Sequence, residues 1–283
     1  MISLHIKVPT KYRLLPNTRI RREIPENWQE VSPRQLLGYC KALRLAGNEA
    51  KNPAAQVRIL AARYMLRLPW WLFYIVNRYQ LAEVTRELHW LNTEPLTHNK
   101  FPKIKKMGGT PLYGPADSFG NLRFAEFAVA SAYYQAFVRT NNPDTLHYLL
   151  AVLYRPADKQ KKRTDPDRRT AFEQHLLTAR VRHVRKMSVD KKQAIVLYFA
   201  GCMAELSMRY PLLFSGGDEA GGPGSATGSA DWLEFMRHLP SDKFGSLDKI
   251  ENSLIHPVFE IANRMMADAK KEKARRKRSM NNE

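Results

Sequence analysis

"IPENWQEVSPRQL", residues 24–36, decides how the chain is read. A proline and a tryptophan come first, then Ser-Pro-Arg-Gln, then an apolar run. Ser32 stands where a helix N-cap belongs, Pro33 has its φ pre-set for the first helical position, and Gln35 has the spacing to reach back to the cap. Leu36, Cys40 and Leu43 follow at helical spacing. Trp28, just outside the helix start, is expected to anchor a core rather than to stack on a ligand. The stretch is a junction between strand and helix, not an active site.

Working outward, Ile2, Leu4, Ile6 and Val8 alternate with polar residues, and Thr18, Ile20, Arg22 and Ile24 supply a second strand, so a small hairpin leads the fold. Asn52-Pro53 opens a second helix, with Val57, Leu60, Ala61, Tyr64 and Leu68 on one face. The run from Leu68 to Leu91 predicts a third, buried early and amphipathic later, with Trp70, Trp71 and Trp90 as helix core rather than a base-stacking platform. Periodicity stops between Asn92 and Phe119, a Pro- and Gly-rich segment unusually long for a plain connector. Its "KFPKIKK" and "TPLYGP" are expected to add short strands or to bind a partner. Phe101, Pro102, Ile104, Leu112 and Tyr113 are the candidate partner-binding residues.

Helical spacing returns at Leu122, and Asn142-Pro143-Asp144 caps the next helix, giving an antiparallel helical hairpin. "YRPADKQKKRTDPDRR" reads as a charged linker, followed by helices across 168–187 and from Ser188 to about Tyr210. Residues 215–231, with six glycines, read as a flexible linker rather than a phosphate-binding loop, because the G-x-x-x-x-G-K-[ST] pattern is missing. Beyond it Pro257 is expected to kink the last apolar helix near Ser253. The fold class is mainly α: a multi-helix bundle with a short N-terminal β-hairpin or strand and a long irregular mid-chain loop. The expected organisation is a main domain over 1–214, the linker 215–231 and a C-terminal helical segment over 232–283 with a basic tail.

The chain has 46 Lys and Arg against 27 Asp and Glu, a net charge of +19 over 283 residues. That charge is concentrated: residues 7–22 carry +6, 99–106 +4, 155–169 +4 and 270–278 +6, so the remainder nets −1. Such segments neutralise phosphates, steer acidic partners or keep a protein in solution. If nucleic acid is the partner, Lys103, Lys105, Lys106, Lys161, Lys162, Arg163, Arg275, Arg276, Lys277 and Arg278 are the residues to carry it. No catalytic, metal or cofactor site is expected. Cys40 and Cys202 form no C-x-x-C, His175 and His183 lie two turns apart, and H-E-x-x-H and G-x-S-x-G are missing. Asp117 reads as a helix cap. The opening "MISLHIKVPTKY" lacks the apolar region of a signal peptide, and the longest uncharged apolar stretches fall short of the roughly 18 residues of a membrane span. The expectation is a protein of the bacterial cytoplasm with no membrane contact.

Four stretches carry a resemblance. "IPENWQEVSPRQL" is similar to an "IPxxWxELT-x-x-Q" opening, and "PLYGPADSFGNLRFAEF", "VLYRP" and "FGSLDKIENSLIHPVFEIANRM" with a charged tail resemble the same group, the uncharacterised tail-module proteins of Bacteroidetes phages and prophages. The glycine-rich insert and the longer basic tail depart from that group. The resemblance implies a non-enzymatic structural or assembly protein, tail-assembly-chaperone-like, whose partners are phage structural or assembly proteins and which is either a virion component or an assembly factor. The alternative is a nucleic-acid-binding module using the basic loops and tail.

Overall fold

The computed structural model describes residues 2–7, 19–46, 53–76, 78–106, 109–162, 164–214, 232–237, 239 and 245–280. The glycine-rich stretch 215–231 lies outside them. The protein is mainly α-helical. It divides into one unit of residues 1–100 with 188–201 and a second of 101–187 with 202–283. The described residues of the C-terminal segment belong to the second unit, and the boundaries at 214 and 231 that composition suggested flank residues outside the described ones.

In the first unit β1 (Ile2–Lys7) pairs antiparallel with β2 (Arg19–Ile24), Ile2 facing Ile24 and Ile6 facing Ile20. The junction then folds as its residues require. α1 (Pro33–Ala46) begins with the capping box closed from both sides: Ser32 N donates to Gln35 Oε1 at 2.9 Å, and Gln35 N donates to Ser32 Oγ at 3.4 Å. Gln35 does a second job, its Nε2 donating to the Met65 carbonyl at 2.6 Å, where it satisfies an orphan acceptor at the end of α2 (Pro53–Met65). Trp28 is buried, edge-on to Tyr39 and Trp90 at 5.6 and 5.1 Å, with its indole N–H on the Glu94 carbonyl at 2.8 Å. α1 and α2 approach so closely at Gly38 that a Cβ there would run into the Tyr64 ring.

The buried face of α2 is Ala61, Ala62 and Met65, rotated from the expected one, and Val57, Leu60 and Tyr64 are only half-buried. The expected third helix is three short ones: α3 (Trp70–Ile75), α4 (Arg78–Glu87) and α5 (Trp90–Thr93). The first break falls at Val76, whose backbone is extended at φ −57° and ψ 133°.

In the second unit the segment that looked irregular folds as a hairpin. β3 (Lys103–Lys106) and β4 (Gly109–Tyr113) pair antiparallel, and β4 pairs with β5 (Arg155–Pro156), giving the order β3-β4-β5. α6 (Phe124–Thr140) and α7 (Pro143–Leu153) form the expected helical hairpin, with Asn142 Oδ1 accepting from Asp144 N at 2.9 Å. The helix expected over 168–187 is shorter: a 3-10 turn at Gln174–Leu176 leads into α8 (Leu177–Val184). Residues 168–170 are instead drawn back against 156–158, with Asp158 N on the Arg168 carbonyl at 2.8 Å and Thr170 N on the Pro156 carbonyl at 2.9 Å. α9 (Val189–Arg209) follows, its first thirteen residues in the first unit and the rest in the second.

Phe259 is the hub of the second unit's aromatic core. It lies within 6.0 Å of Phe124, Phe127, Tyr210, Phe214 and Trp232. These side chains come from α6, the residue that follows α9, α10 (Pro211–Phe214), α11 (Trp232–Arg237) and α13 (Ile255–Met280). The break ahead of Pro257 falls at Ser253, between α12 (Leu247–Asn252) and α13, as expected. It is used: Phe124 N donates to the Ser253 carbonyl at 2.9 Å and Ile255 N to the Leu122 carbonyl at 3.1 Å. α13 ends in solvated basic turns.

Ser32→Ala is expected to cost about 1 kcal/mol by opening the cap. Trp28→Ala is expected to cost about 3–5 kcal/mol through the vacancy it leaves among Tyr39 and Trp90. Urea unfolding of both variants measures the difference.

Candidate binding surface

Two constellations stand out among the described residues, one sealed and one exposed. The sealed one is in the second unit. Glu126, on α6, is buried together with Arg155 and Arg169. Arg155 Nη2 donates to Glu126 Oε1 at 2.6 Å, and Arg169 Nη2 lies 3.2 Å from Oε2. Arg169 also donates from Nε to Asp167 Oδ1 at 2.8 Å, from Nη2 to the Asn121 carbonyl at 2.9 Å and from Nη1 to the Leu153 carbonyl at 3.3 Å. It therefore fastens the end of α7, the approach to α6 and its own loop at once. This corrects the reading of 154–169 as a linker: Tyr154, Arg155 and Arg169 at its ends are core, and the exposed residues, Lys159, Gln160, Lys162 and Thr164 among them, lie between.

Burial pushes the Arg155 guanidinium down to about 10, with Glu126 pulling the other way, so it stays charged at neutral pH. Burial also pushes Arg180 down, Glu173 and Glu126 opposing. Asp167 goes the other way from its own burial: the Arg169 hydrogen bond and charge hold its carboxyl below the ordinary range. With Arg155 at 0% and Arg169 and Glu126 at 1% exposure, the cluster is a structural tie rather than a docking site.

Other reactive groups are equally closed off. Burial, helped by Asp190, pushes the Cys40 thiol up to about 12, so it carries no thiolate at neutral pH; Cys202 is buried too. No group of His, Cys, Asp and Glu among the described residues is arranged to hold a metal. No described helix is long and apolar enough to cross a membrane.

The exposed constellation is in the first unit, on α3 and the start of α4. Trp70, Trp71, Tyr74 and Tyr79 are 44%, 52%, 77% and 85% exposed. Trp90 is core as expected; Trp70 and Trp71 are not. Trp70 stacks on Tyr74 at 5.9 Å and 22°, and the Arg63 guanidinium lies 3.7 Å from the Trp70 ring centre. Helical position gave no signal for this: at about 100° per residue Trp70, Tyr74 and Trp71 fall within one arc of about 100°, no wider than a core-facing stripe. Beside the cluster runs a groove of about 730 Å³ between the start of α1 and the end of α2.

The expected partner-binding residues fall on the hairpin. Ile104 and Leu112 face each other across β3 and β4 and are buried, so their surface is spent inside the sheet. Phe101 is half-buried, its carbonyl accepting from the Tyr154 hydroxyl at 3.0 Å, and Pro102 is exposed with its carbonyl bonded to Gly114 N. Tyr113 is half-buried, with Lys103 Nζ 5.5 Å and the Arg168 guanidinium 4.8 Å from its ring centre. Of the expected phosphate-binding residues, Lys103, Lys162, Arg275, Arg276 and Arg278 are exposed; Lys161 is half-buried, its Nζ on the Arg169 carbonyl at 2.8 Å. Arg163 and the side chains of Lys105, Lys106 and Lys277 lie outside the described residues.

Comparison of the chain with protein-family models, with curated proteins and with solved structures finds no match.

Glu126→Gln is expected to cost about 3–5 kcal/mol, because two guanidiniums stay buried without their carboxylate. The depressed Asp167 gives a pH dependence of defined sign: its contribution is complete above the ordinary carboxylate range, about pH 4, and is lost as pH falls through its lower folded value. Urea midpoints of the native protein should therefore fall more steeply below about pH 4 than those of Asp167→Asn.

Proposed function

We propose that this chain is a non-enzymatic protein that works by binding other proteins, and that it serves as a structural or assembly protein of a phage or prophage tail module, tail-assembly-chaperone-like. The tail setting rests on the resemblance carried by residues 24–36, 111–127, 152–156 and 244–265. The observation that carries protein binding is the exposed Trp70, Trp71, Tyr74 and Tyr79 surface with Arg63 against it. Trp, Tyr and Arg are the residues that dominate binding energy at protein interfaces, and a surface cluster of large aromatics is costly to leave uncovered. Cytoplasmic assembly in a bacterial cell is the compartment that goes with this role.

The test is co-expression with the tail proteins of the same phage or prophage. Trp71→Ala with Tyr79→Ala should weaken capture of a tail partner by at least about thirtyfold, the loss of a hot spot of about 2 kcal/mol, while urea stability changes little. Undiminished capture by that variant would remove the aromatic surface from the reading.

One observation favours nucleic acid as a second reading. The sheet brings the basic segments 99–106 and 155–169 together at Tyr113, between Lys103 and Arg168. Under this reading, truncation after Ala269 leaves folding intact, since the described side chains from Lys270 to Arg276 are exposed, and reduces the salt dependence of duplex binding by up to about 0.9 per lost phosphate contact. Fluorescence anisotropy across a salt series reads it; a flat series for the full chain rejects it.

A further inference from the structure

The groove beside the aromatic cluster has a chemistry of its own. Arg34, Arg63 and Arg67 line it together with Tyr64, Leu68 and Pro69, and no acidic residue is among its lining. An adjoining cavity of about 570 Å³ shares Gln35 and Arg67 and adds Arg21 and Arg22 against Glu23 and Glu30. Arg67 is common to both. Its backbone is left-handed at φ 52°, a conformation that favours glycine, and its Nη2 donates to Ser32 Oγ at 3.4 Å, which fixes a guanidinium at the meeting of the two helix ends.

We propose that this groove docks an acidic peptide segment of a partner protein, with glutamate or aspartate on the guanidiniums and leucine- or phenylalanine-like side chains on Tyr64, Leu68 and Pro69. The proposal rests on the protein-binding reading above and names the partner's chemistry. Guanidiniums pair with carboxylates bidentately, and three around an apolar strip select a segment that is both acidic and apolar. A single-stranded nucleic acid fits less well. It needs open aromatic faces for its bases, whereas the Trp70 ring next to the groove is already engaged by Arg63 and Tyr74. A second copy of this chain is disfavoured by its own charge of +19.

The experiment uses the full chain and a short fluorescein-labelled peptide of glutamates interrupted by leucine and phenylalanine. Controls are the same peptide with lysine for glutamate, and an oligothymidylate. The test variant is Arg34→Gln with Arg67→Gly: both side chains are exposed, and glycine accepts the left-handed backbone, so the melting temperature should hold. The proposal expects the acidic peptide to bind in preference to both controls, and the variant to weaken it by at least about tenfold. Equal binding of the lysine peptide, equal or tighter binding of the oligothymidylate, or an unchanged affinity in the variant overturns it. Failure here is separable from failure of the broader reading: tail-protein capture that survives in Arg34→Gln/Arg67→Gly but is lost in Trp71→Ala/Tyr79→Ala keeps protein binding and removes the acidic groove.

Discussion

A carboxylate with no water around it must be paired, and in the second unit the pairing of Glu126 dictates much of the path of the chain. Arg155 and Arg169, which meet that carboxylate, sit fourteen residues apart in sequence, so the segment between them has to leave the core and return. Along that path β5 ends after Pro156, Ala157 and Arg169 form a bridge, and among the described residues no helix begins until the 3-10 turn at Gln174. Burying such a group brings little net stability over an apolar replacement of equal shape. Its effect is on specificity, because an alternative path for 155–169 would leave charges buried and alone.

The first unit solves the same problem with neutral groups. Gln35 joins its helix start to the end of α2, and the indole N–H of Trp28 reaches the Glu94 carbonyl across sixty-six residues of sequence. Each polar atom in these places satisfies a backbone group that helix termini leave without a partner. The close passage of Gly201 along the backbone of Leu96 belongs to the same economy of space: a Cβ at that glycine would overlap the chain. α3 meets this interior through Leu72, while Trp70 and Trp71 stay at the surface.

What was legible in the sequence was whatever local chemistry decides. The hairpin, the Ser32 capping box, the Asn142 cap and the break at Ser253 each follow from a few neighbouring residues, and each is found. What was not legible depends on partners distant in sequence. Charge-rich composition made 155–169 look like a linker, because nothing near Arg155 announces Glu126. Helical periodicity carried the third helix through Val76, and with it the assumption that Trp70 and Trp71 are core. Phe101, Pro102, Ile104, Leu112 and Tyr113 stand out in the sequence as apolar residues in an aperiodic segment. The segment folds into a real sheet, and Ile104 and Leu112 are apolar because they build it.

The stretches that carry the family resemblance are largely those that build the interior. Residues 24–36 contain Trp28 and Gln35, 111–127 contain Glu126 and Phe127, 152–156 contain Arg155, and 244–265 contain Phe259, the centre of the aromatic core. Such motifs transmit a way of folding, since these buried residues are held by partners inside the molecule. The features that carry the proposed binding lie mostly elsewhere: in Trp71, Tyr74 and Tyr79, and in Arg63 and Arg67 along a groove that the resemblance stretch enters only at residues 32–35. The resemblance rests mainly on interior residues and the proposed binding mainly on exposed ones, with the start of α1 common to both. The surface of α3 and the groove beside it therefore support the proposed binding through their own exposure and charge, and the tail-module setting through the residues around them.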